Sequence, residues 1–253
     1  MSSLASLEFA THRDTHVATL TLCREEARNA MSLDLLDALH AKVDEVAARA
    51  DISVLVITGA GKAFCAGMDL KAVLEDNALA LRLLMSLADL TVKIRTLPMV
   101  TVARVNGAAI GGGCGLTCVC DVAITHADAK LGFPEVDMGV CPAVVAPWLV
   151  RKVGAGRARR VLLMGGLMSG AEAHALGMVD HLAADLATLD ATVDGVVKHL
   201  AAAGPHALKA TKKLLNELDG SLDQSIVREG ARLSAHVLST PETQTALRAK
   251  MGK

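Results

Sequence analysis

The stretch that decides the fold runs from Met99 to Gly115, MVTVARV followed by NGAAIGGGCG: an apolar run, then Asn106-Gly107, then the glycines at 111, 112, 113 and 115. A short apolar run bounded by turn residues reads as a buried strand. Where such a strand passes through glycines into a helix, backbone N–H groups stay open to a ligand. Glycine has no Cβ to hold the ligand off, and the first turn of a helix has no internal partner for its donors. Gly59-Ala60-Gly61-Lys62-Ala63-Phe64-Cys65-Ala66-Gly67-Met68-Asp69 repeats the arrangement after a second buried run, Ser53–Thr58 (SVLVIT). Amides converging from two such loops would form an oxyanion hole for a thioester or related carbonyl. Close helix packing is the plain alternative for Gly111–Gly113. A dinucleotide fingerprint does not fit, because Leu116 stands where its third glycine belongs, and no G-K-[ST] is present for a phosphate loop.

Outward from these loops the chain alternates. Leu7–Thr11 and Val17–Leu22 flank a polar turn at Arg13, Asp14 and Thr15 and are expected to pair as a hairpin. Ser32 is expected to cap a helix, since Leu35, Leu36, Leu39, Val43 and Val46 recur at helical spacing with Asp34 in the first turn. Val122–Thr125 reads as a third buried strand, after a short cysteine-rich helix. Beyond residue 150 helix dominates. Ser169-Gly170-Ala171-Glu172 has capping-box spacing ahead of a helix that stops at Gly177, and Met178–His181 reads as one more strand. Pro205 opens another helix, and Leu222–Leu238 and Pro241–Lys250 make two more. An α/β core, 1–195, is thus expected ahead of a helical C-terminal region, 196–253.

Composition narrows the function. The chain has 253 residues, 52% of them AVILMFWYC, which is ample for a buried core. Lys and Arg number 26 against 27 Asp and Glu, so no global field gathers nucleic acid or an anionic membrane. Three Phe, one Trp and no Tyr leave few platforms for stacking bases. The opening MSSLASLEFATHR has neither a basic start nor a long apolar stretch, and Val140–Val150, the longest apolar run, is far short of the roughly 20 residues of a spanning helix. A cytoplasmic protein without membrane or nucleic-acid partners is expected. Cys23, Cys65, Cys114, Cys118, Cys120 and Cys141 include no C-x-x-C pair, and no His stands at ligand spacing beside 114–120. Buried reduced thiols and no metal are expected.

Five segments in order carry a likeness: Arg24–Ser32 (REEARNAMS), Ala63–Leu70 (AFCAGMDL), Val105–Cys114 (VNGAAIGGGC), Cys120–Ile124 (CDVAI) and Leu131–Gly139 (LGFPEVDMG). Together the sequence resembles the enoyl-CoA hydratase/isomerase (crotonase) family, and weaker matches at Ser169–Val179 and Glu229–Ser239 extend the likeness over nearly the whole chain. The resemblance implies a crotonase-like ββα spiral core with a helical C-terminal trimerisation region. It implies an acyl-CoA substrate, no permanently bound cofactor beyond the coenzyme A of that substrate, and a homotrimer or dimer of trimers. The amides of Met68 and Gly112 would then be the oxyanion donors and Glu135 the acid/base carboxylate, while Arg24, Arg28, Lys62 and Ala66 fall in segments that line coenzyme A in relatives. Adding water to a 2-enoyl thioester, or moving its double bond, passes through an enolate, so donors at the oxygen and a carboxylate at the α-carbon are both needed. Glu135 follows Phe133-Pro134, a setting that would raise its pKa. The plain alternative is that Pro134-Glu135 only begins a helix.

Two departures from the family pattern bear on the reaction. Many hydratases of the family carry a second glutamate three residues past the oxyanion glycine, where this chain has Gly115. Gly139–Val150 (GVCPAVVAPWLV) replaces a glycine-rich stretch and is similar to bacterial methylglutaconyl-CoA and related branched enoyl-CoA hydratases that also lack that glutamate. The expected activity is therefore hydration of a short or branched enoyl-CoA, a methylglutaconyl-CoA-like one included, through one glutamate. A Δ3-Δ2 enoyl-CoA isomerase and a non-catalytic acyl-CoA-binding scaffold are the alternatives, and Asp69 and Asp137 are the other carboxylates that could act as base. The C-terminus lacks the aromatic-containing ending of many relatives, which leaves open whether a neighbouring subunit's tail reaches the coenzyme.

Overall fold

β1 (Ala5–His12) and β2 (Thr15–Leu22) pair antiparallel in the computed structural model, which describes residues 4–12, 15–75 and 77–252. Arg13 and Asp14 of the expected turn lie outside the described residues, and Thr15 opens β2 opposite His12 instead of belonging to the turn. α1 (Leu33–Ala47) starts where the Ser32 hydroxyl accepts the Leu35 N–H at 3.3 Å, and it buries the five apolar residues whose spacing predicts it.

Three passes of the chain then follow one plan. The first consists of β3 (Ile52–Gly59), β4 (Ala63–Cys65), α2 (Leu70–Glu75) and α3 (Asn77–Thr96). The second consists of β5 (Val100–Val105), β6 (Ala108–Ile110) and α4 (Gly112–Val119). The third consists of β7 (Val122–His126), β8 (Lys130–Gly132), a tight turn at Val136–Met138, α5 (Ala146–Val153) and α6 (Ala155–Met164). β3, β5 and β7 pair in parallel in one sheet, and β4, β6 and β8 do so in another. Each pass gives one strand to each sheet and ends in helix, which is the ββα spiral of the crotonase fold.

β9 (Leu167–Ser169) closes the small sheet antiparallel to β8, and α7 (Gly170–Leu176) follows from a capping box at Ser169 and Glu172. β10 (His181–Ala183) joins the large sheet beside β7, giving the order β1-β2-β3-β5-β7-β10. The strand expected at Met178–His181 is thus displaced. Met178 and Val179 are buried, but the Met178 N–H closes α7 on Ala173 O, and ladder pairing begins only at His181 opposite Ile124. α8 (Leu186–Ala201), α9 (Pro205–Leu218), α10 (Gln224–Leu238) and α11 (Pro241–Met251) complete the chain, and position 195 lies inside α8.

The large sheet is covered on both faces. In β3, Leu55 and Ile57 enter the main core, while Val54 and Val56 pack with Leu189, Val193 and Val197 of α8 on the other side. A strand buried on both faces has no polar alternate, which is why SVLVIT is apolar almost throughout. α10 lies along α3, so the C-terminal helices brace the wall above the small sheet.

Candidate active site

The three parallel strands of the small sheet end along one edge, and each candidate catalytic residue lies two or three positions past a strand end. Met68 follows β4 (Ala63–Cys65), Gly112 follows β6 (Ala108–Ile110), and Glu135 follows β8 (Lys130–Gly132). Ends of parallel strands are where loops from successive passes converge on a ligand. Here Ala66, Met68, Gly112 and Glu135 line one cleft.

Local hydrogen bonding aims the Met68 amide. Met31 and Met68 form a parallel bridge in which the Met31 N–H donates to Gly67 O at 2.7 Å and Met31 O accepts the Asp69 N–H at 3.0 Å. Both bonds go to the neighbours of Met68, so its own N–H points away from Met31. Gly112 is the first residue of α4, and its N–H precedes the first helical bond, from Gly115 N–H to Gly111 O at 2.9 Å. The loops touch: a Cβ on Gly67, whose φ is +92°, would come within 2.8 Å of Ile110 O and 3.8 Å of Gly112 N. Gly111 has φ +54°, and a Cβ there would lie 2.7 Å from Glu135 Oε1, so the glycine admits the carboxylate against the start of α4.

Glu135 stands at the N-cap position of the Val136–Met138 turn, as a residue that begins a helix would. Its side chain makes no capping bond to the turn that follows, while its main-chain oxygen accepts from Met138 N–H at 3.0 Å and Val140 N–H at 2.8 Å. Oε2 is buried and has no hydrogen-bond partner among the described residues. Desolvation lifts the carboxyl from 4.5 to about 7, against a smaller opposing effect of its main-chain hydrogen bonding. The alternative carboxylates are engaged elsewhere. Asp69 Oδ2 accepts from Arg24 Nη1 at 2.8 Å, and Asp137 Oδ2 accepts the Gly166 N–H at 2.8 Å.

Of the expected coenzyme residues, Arg28 and Ala66 adjoin, the Ala66 N–H donating to Arg28 O at 3.0 Å. Arg24 Nη1 also donates to Ala30 O at 2.9 Å, so this arginine ties the segment before α1 to the residue after Met68. Arg28 and Lys62 are exposed and stand outside the cleft lining, which Ala66 shares. The buried amide of Asn29, whose role the sequence does not announce, accepts the Arg24 N–H and donates to Ala60 O and Ala63 O, all within 3.0 Å. Asn106 does the same work from the other loop, accepting the Gly59 N–H at 3.2 Å and donating to Gly61 O at 2.9 Å. Side-chain amides that mimic the backbone commonly fix such turns.

Gly115 also has a structural cause. A Cβ at this position would lie 2.3 Å from Val145 Cγ1, so the segment before α5 occupies the space a longer side chain at 115 would enter. All six cysteines are free, and burial pushes the thiols of Cys65 and Cys120 up to about 12. Among the described residues no three His, Cys, Asp or Glu are grouped to hold a metal ion, and no helix is long and apolar enough to cross a membrane.

The spiral fold, with its cleft at the ends of the small sheet's parallel strands, is that of a crotonase-type enzyme. The enoyl-CoA hydratase/isomerase family pattern matches residues 12–250, and the chain belongs to that family. It is similar to the 2,3-dehydroadipyl-CoA hydratase of Escherichia coli, 33% identical over 211 residues that cover 83% of this chain and 82% of that protein. The crystal structure of an enoyl-CoA hydratase from Mycobacterium avium superposes with a TM-score of 0.86 at 27% identity, covering 100% of this chain and 97% of that one. An enoyl-CoA hydratase/isomerase from Xanthobacter autotrophicus gives 0.83 at 28%, over 97% and 96% of the two chains.

Proposed function

We propose that this enzyme hydrates the 2,3 double bond of a short or branched 2-enoyl-CoA, and catalyses the reverse dehydration, with Glu135 as its one acid/base group. The observation that carries the reading is the buried Oε2 of Glu135, unpartnered in the cleft that the amides of Met68 and Gly112 also border. The thioester oxygen binds those two amides. As a water hydroxyl attacks C3, the carboxylate takes the water proton, negative charge moves onto the thioester oxygen as an enolate, and the amides meet it there. The carboxylic acid so formed returns a proton to C2. One water is added, and Glu135 ends as it began. A pKa near 7 suits a group that must take and then give a proton within one turnover.

Coenzyme A is bound as part of the substrate, with Ala66 at the cleft and Arg24, Arg28 and Lys62 serving its phosphate and adenine end. No resident cofactor or metal is required, because amides meet the enolate charge. Gly139–Val150, similar to methylglutaconyl-CoA-type hydratases, contributes Val140, Cys141, Pro142, Val144 and Val145 to the cleft, which supports a short or branched acyl group. The helical region from the end of α8 onward is read as trimerising, giving a homotrimer or dimer of trimers, and the enzyme is assigned to the cytoplasm.

The test follows a panel of 2-enoyl-CoA thioesters by loss of conjugated absorbance in water enriched in heavy oxygen. Label at C3 is the expected result. Double-bond migration without label would replace hydration by Δ3-Δ2 isomerisation, and tight binding with no conversion of any thioester would make the protein a scaffold.

A further inference from the structure

The cleft walls carry information about the far end of the acyl group, and this step rests on the hydratase reading above. Beyond the Met68 and Gly112 amides the cleft is lined by Leu70, Leu84, Leu87, Met138, Val144 and Val145. Among the described residues that line it there is no Lys, Arg or His, and the polar side chains are those of Glu135, Cys141 and Ser234. Ser234 is already engaged: its hydroxyl donates to Cys141 O at 2.7 Å and accepts the Ala143 N–H at 3.2 Å. Burial holds the Cys141 thiol above its ordinary pKa, and it offers no positive charge.

Main-chain donors could substitute for a cation, and α5 starts at this wall, where a helix N-terminus would ordinarily welcome an anion. Its first amides are taken or missing. The Ala146 N–H donates to Pro142 O at 3.0 Å, Pro147 has no N–H, and the Trp148 N–H donates to Val145 O at 3.1 Å. The sequence CPAVVAPW thus builds a wall whose side chains carry no positive charge, and the first three positions of α5 offer it no free amide donor.

We infer that the enzyme is selective for 2-enoyl thioesters whose acyl group ends in hydrocarbon, and that it discriminates against those ending in a free carboxylate. A terminal carboxylate in this cleft would lose its water, find no cation among the described lining residues and share the space with Glu135. An unpaired buried charge of that kind lowers affinity or turnover by about 10²–10³-fold. Methylglutaconyl-CoA and 2,3-dehydroadipyl-CoA both carry such a group, so the inference separates this chain from the latter's Escherichia coli hydratase within one family.

Matched thioesters test it on the native enzyme. 2-Hexenoyl-CoA and 2,3-dehydroadipyl-CoA differ only in a terminal methyl against a carboxylate, as do 3-methyl-2-pentenoyl-CoA and 3-methylglutaconyl-CoA. Binding of the unreactive hexanoyl-CoA and adipyl-CoA is measured alongside. The expected result is a kcat/KM at least ~10²-fold higher for the methyl-ended member of each pair. Equal or better turnover of the carboxylated members would overturn the inference and leave hydration standing. If no thioester is hydrated but hexanoyl-CoA binds about tenfold or more tighter than adipyl-CoA, the hydratase reading falls and the acyl-group inference holds. With no thioester hydrated, equal binding of the two would overturn it as well.

Discussion

Burial that lifts the Glu135 carboxyl to about 7 ties activity and stability to pH in opposite senses. Both directions of the proposed reaction start from the carboxylate, which takes a proton from water in hydration and from C2 in dehydration. Turnover should therefore rise with pH and level off above about 7, and a flat profile from pH 5 to 8 would remove Glu135 as the base. Stability should move the other way. From its ordinary 4.5 up to about 7 the folded state holds a proton that the unfolded chain has released, so stability falls as pH rises through that window and is constant above it. Glu135→Gln has no such penalty. It should match the native protein near pH 4 in urea unfolding and exceed it near pH 8, by of order 3 kcal/mol. The same variant should lose about 10²–10⁴ in kcat with coenzyme A affinity unchanged. A gain in stability with a loss of rate is the signature of a group held in place for chemistry.

At the scale of elements, the Met68 loop depends on a side chain that never enters the cleft. Asn29→Ala would leave the Arg24 N–H and Ala60 O without their partner, reduce Ala63 O to the longer bond from Asn106 Nδ2 at 3.4 Å, and place alanine at φ +56°. A destabilisation of at least ~2 kcal/mol is expected, with turnover at low temperature reduced because the Met68 amide is no longer held. The packing of α4 on the segment before α5 gives a second test. Gly115→Ala should destabilise by about 1–3 kcal/mol through its contact with Val145. Val145→Gly should relieve the second mutant, because the nearest remaining atom of residue 145 would then be the Cα, 3.8 Å from the new Cβ. Additive effects in urea unfolding of the double mutant would count against the contact. The long elements were legible: α1 declared itself by its cap and its apolar spacing, β3 and β5 by being apolar on both faces. α3 gave no comparable signal, since its start carries no acidic residue and it is apolar on more than one side. The three-residue strands β4, β6, β8, β9 and β10 are too short for any period to register, and two of them lie among the glycines read as loop.

For the whole molecule, the surface near α10 asks for a cover. Val150, Leu163, Ile226 and Leu233 are each at least 40% exposed and border a groove shared by α5, α6 and α10. Apolar side chains clustered in one groove commonly mark an interface. The proposed trimer predicts that sedimentation gives three or six times the 26.3 kDa chain mass and that Leu233→Glu shifts the population to monomer. A native protein that sediments as a monomer would sink this assignment. Met68, Gly112, Ala66 and Glu135 could be picked out from sequence because each lies in a short motif, and they meet because three parallel strands end together. The contacts of Asn29, Asn106 and Val145 are not legible in sequence because they reach partners 31 to 47 residues away, or cross from one helix to another loop. The Gly115 and Val145 pair also shapes what descendants of this sequence can become. Enlarging 115 alone collides with Val145, and shrinking 145 alone opens a hole beside Gly115. Either first step costs stability before the other can compensate, so single mutations toward a second carboxylate at 115 start downhill, and the proposed one-glutamate chemistry would be kept by steric lock-in.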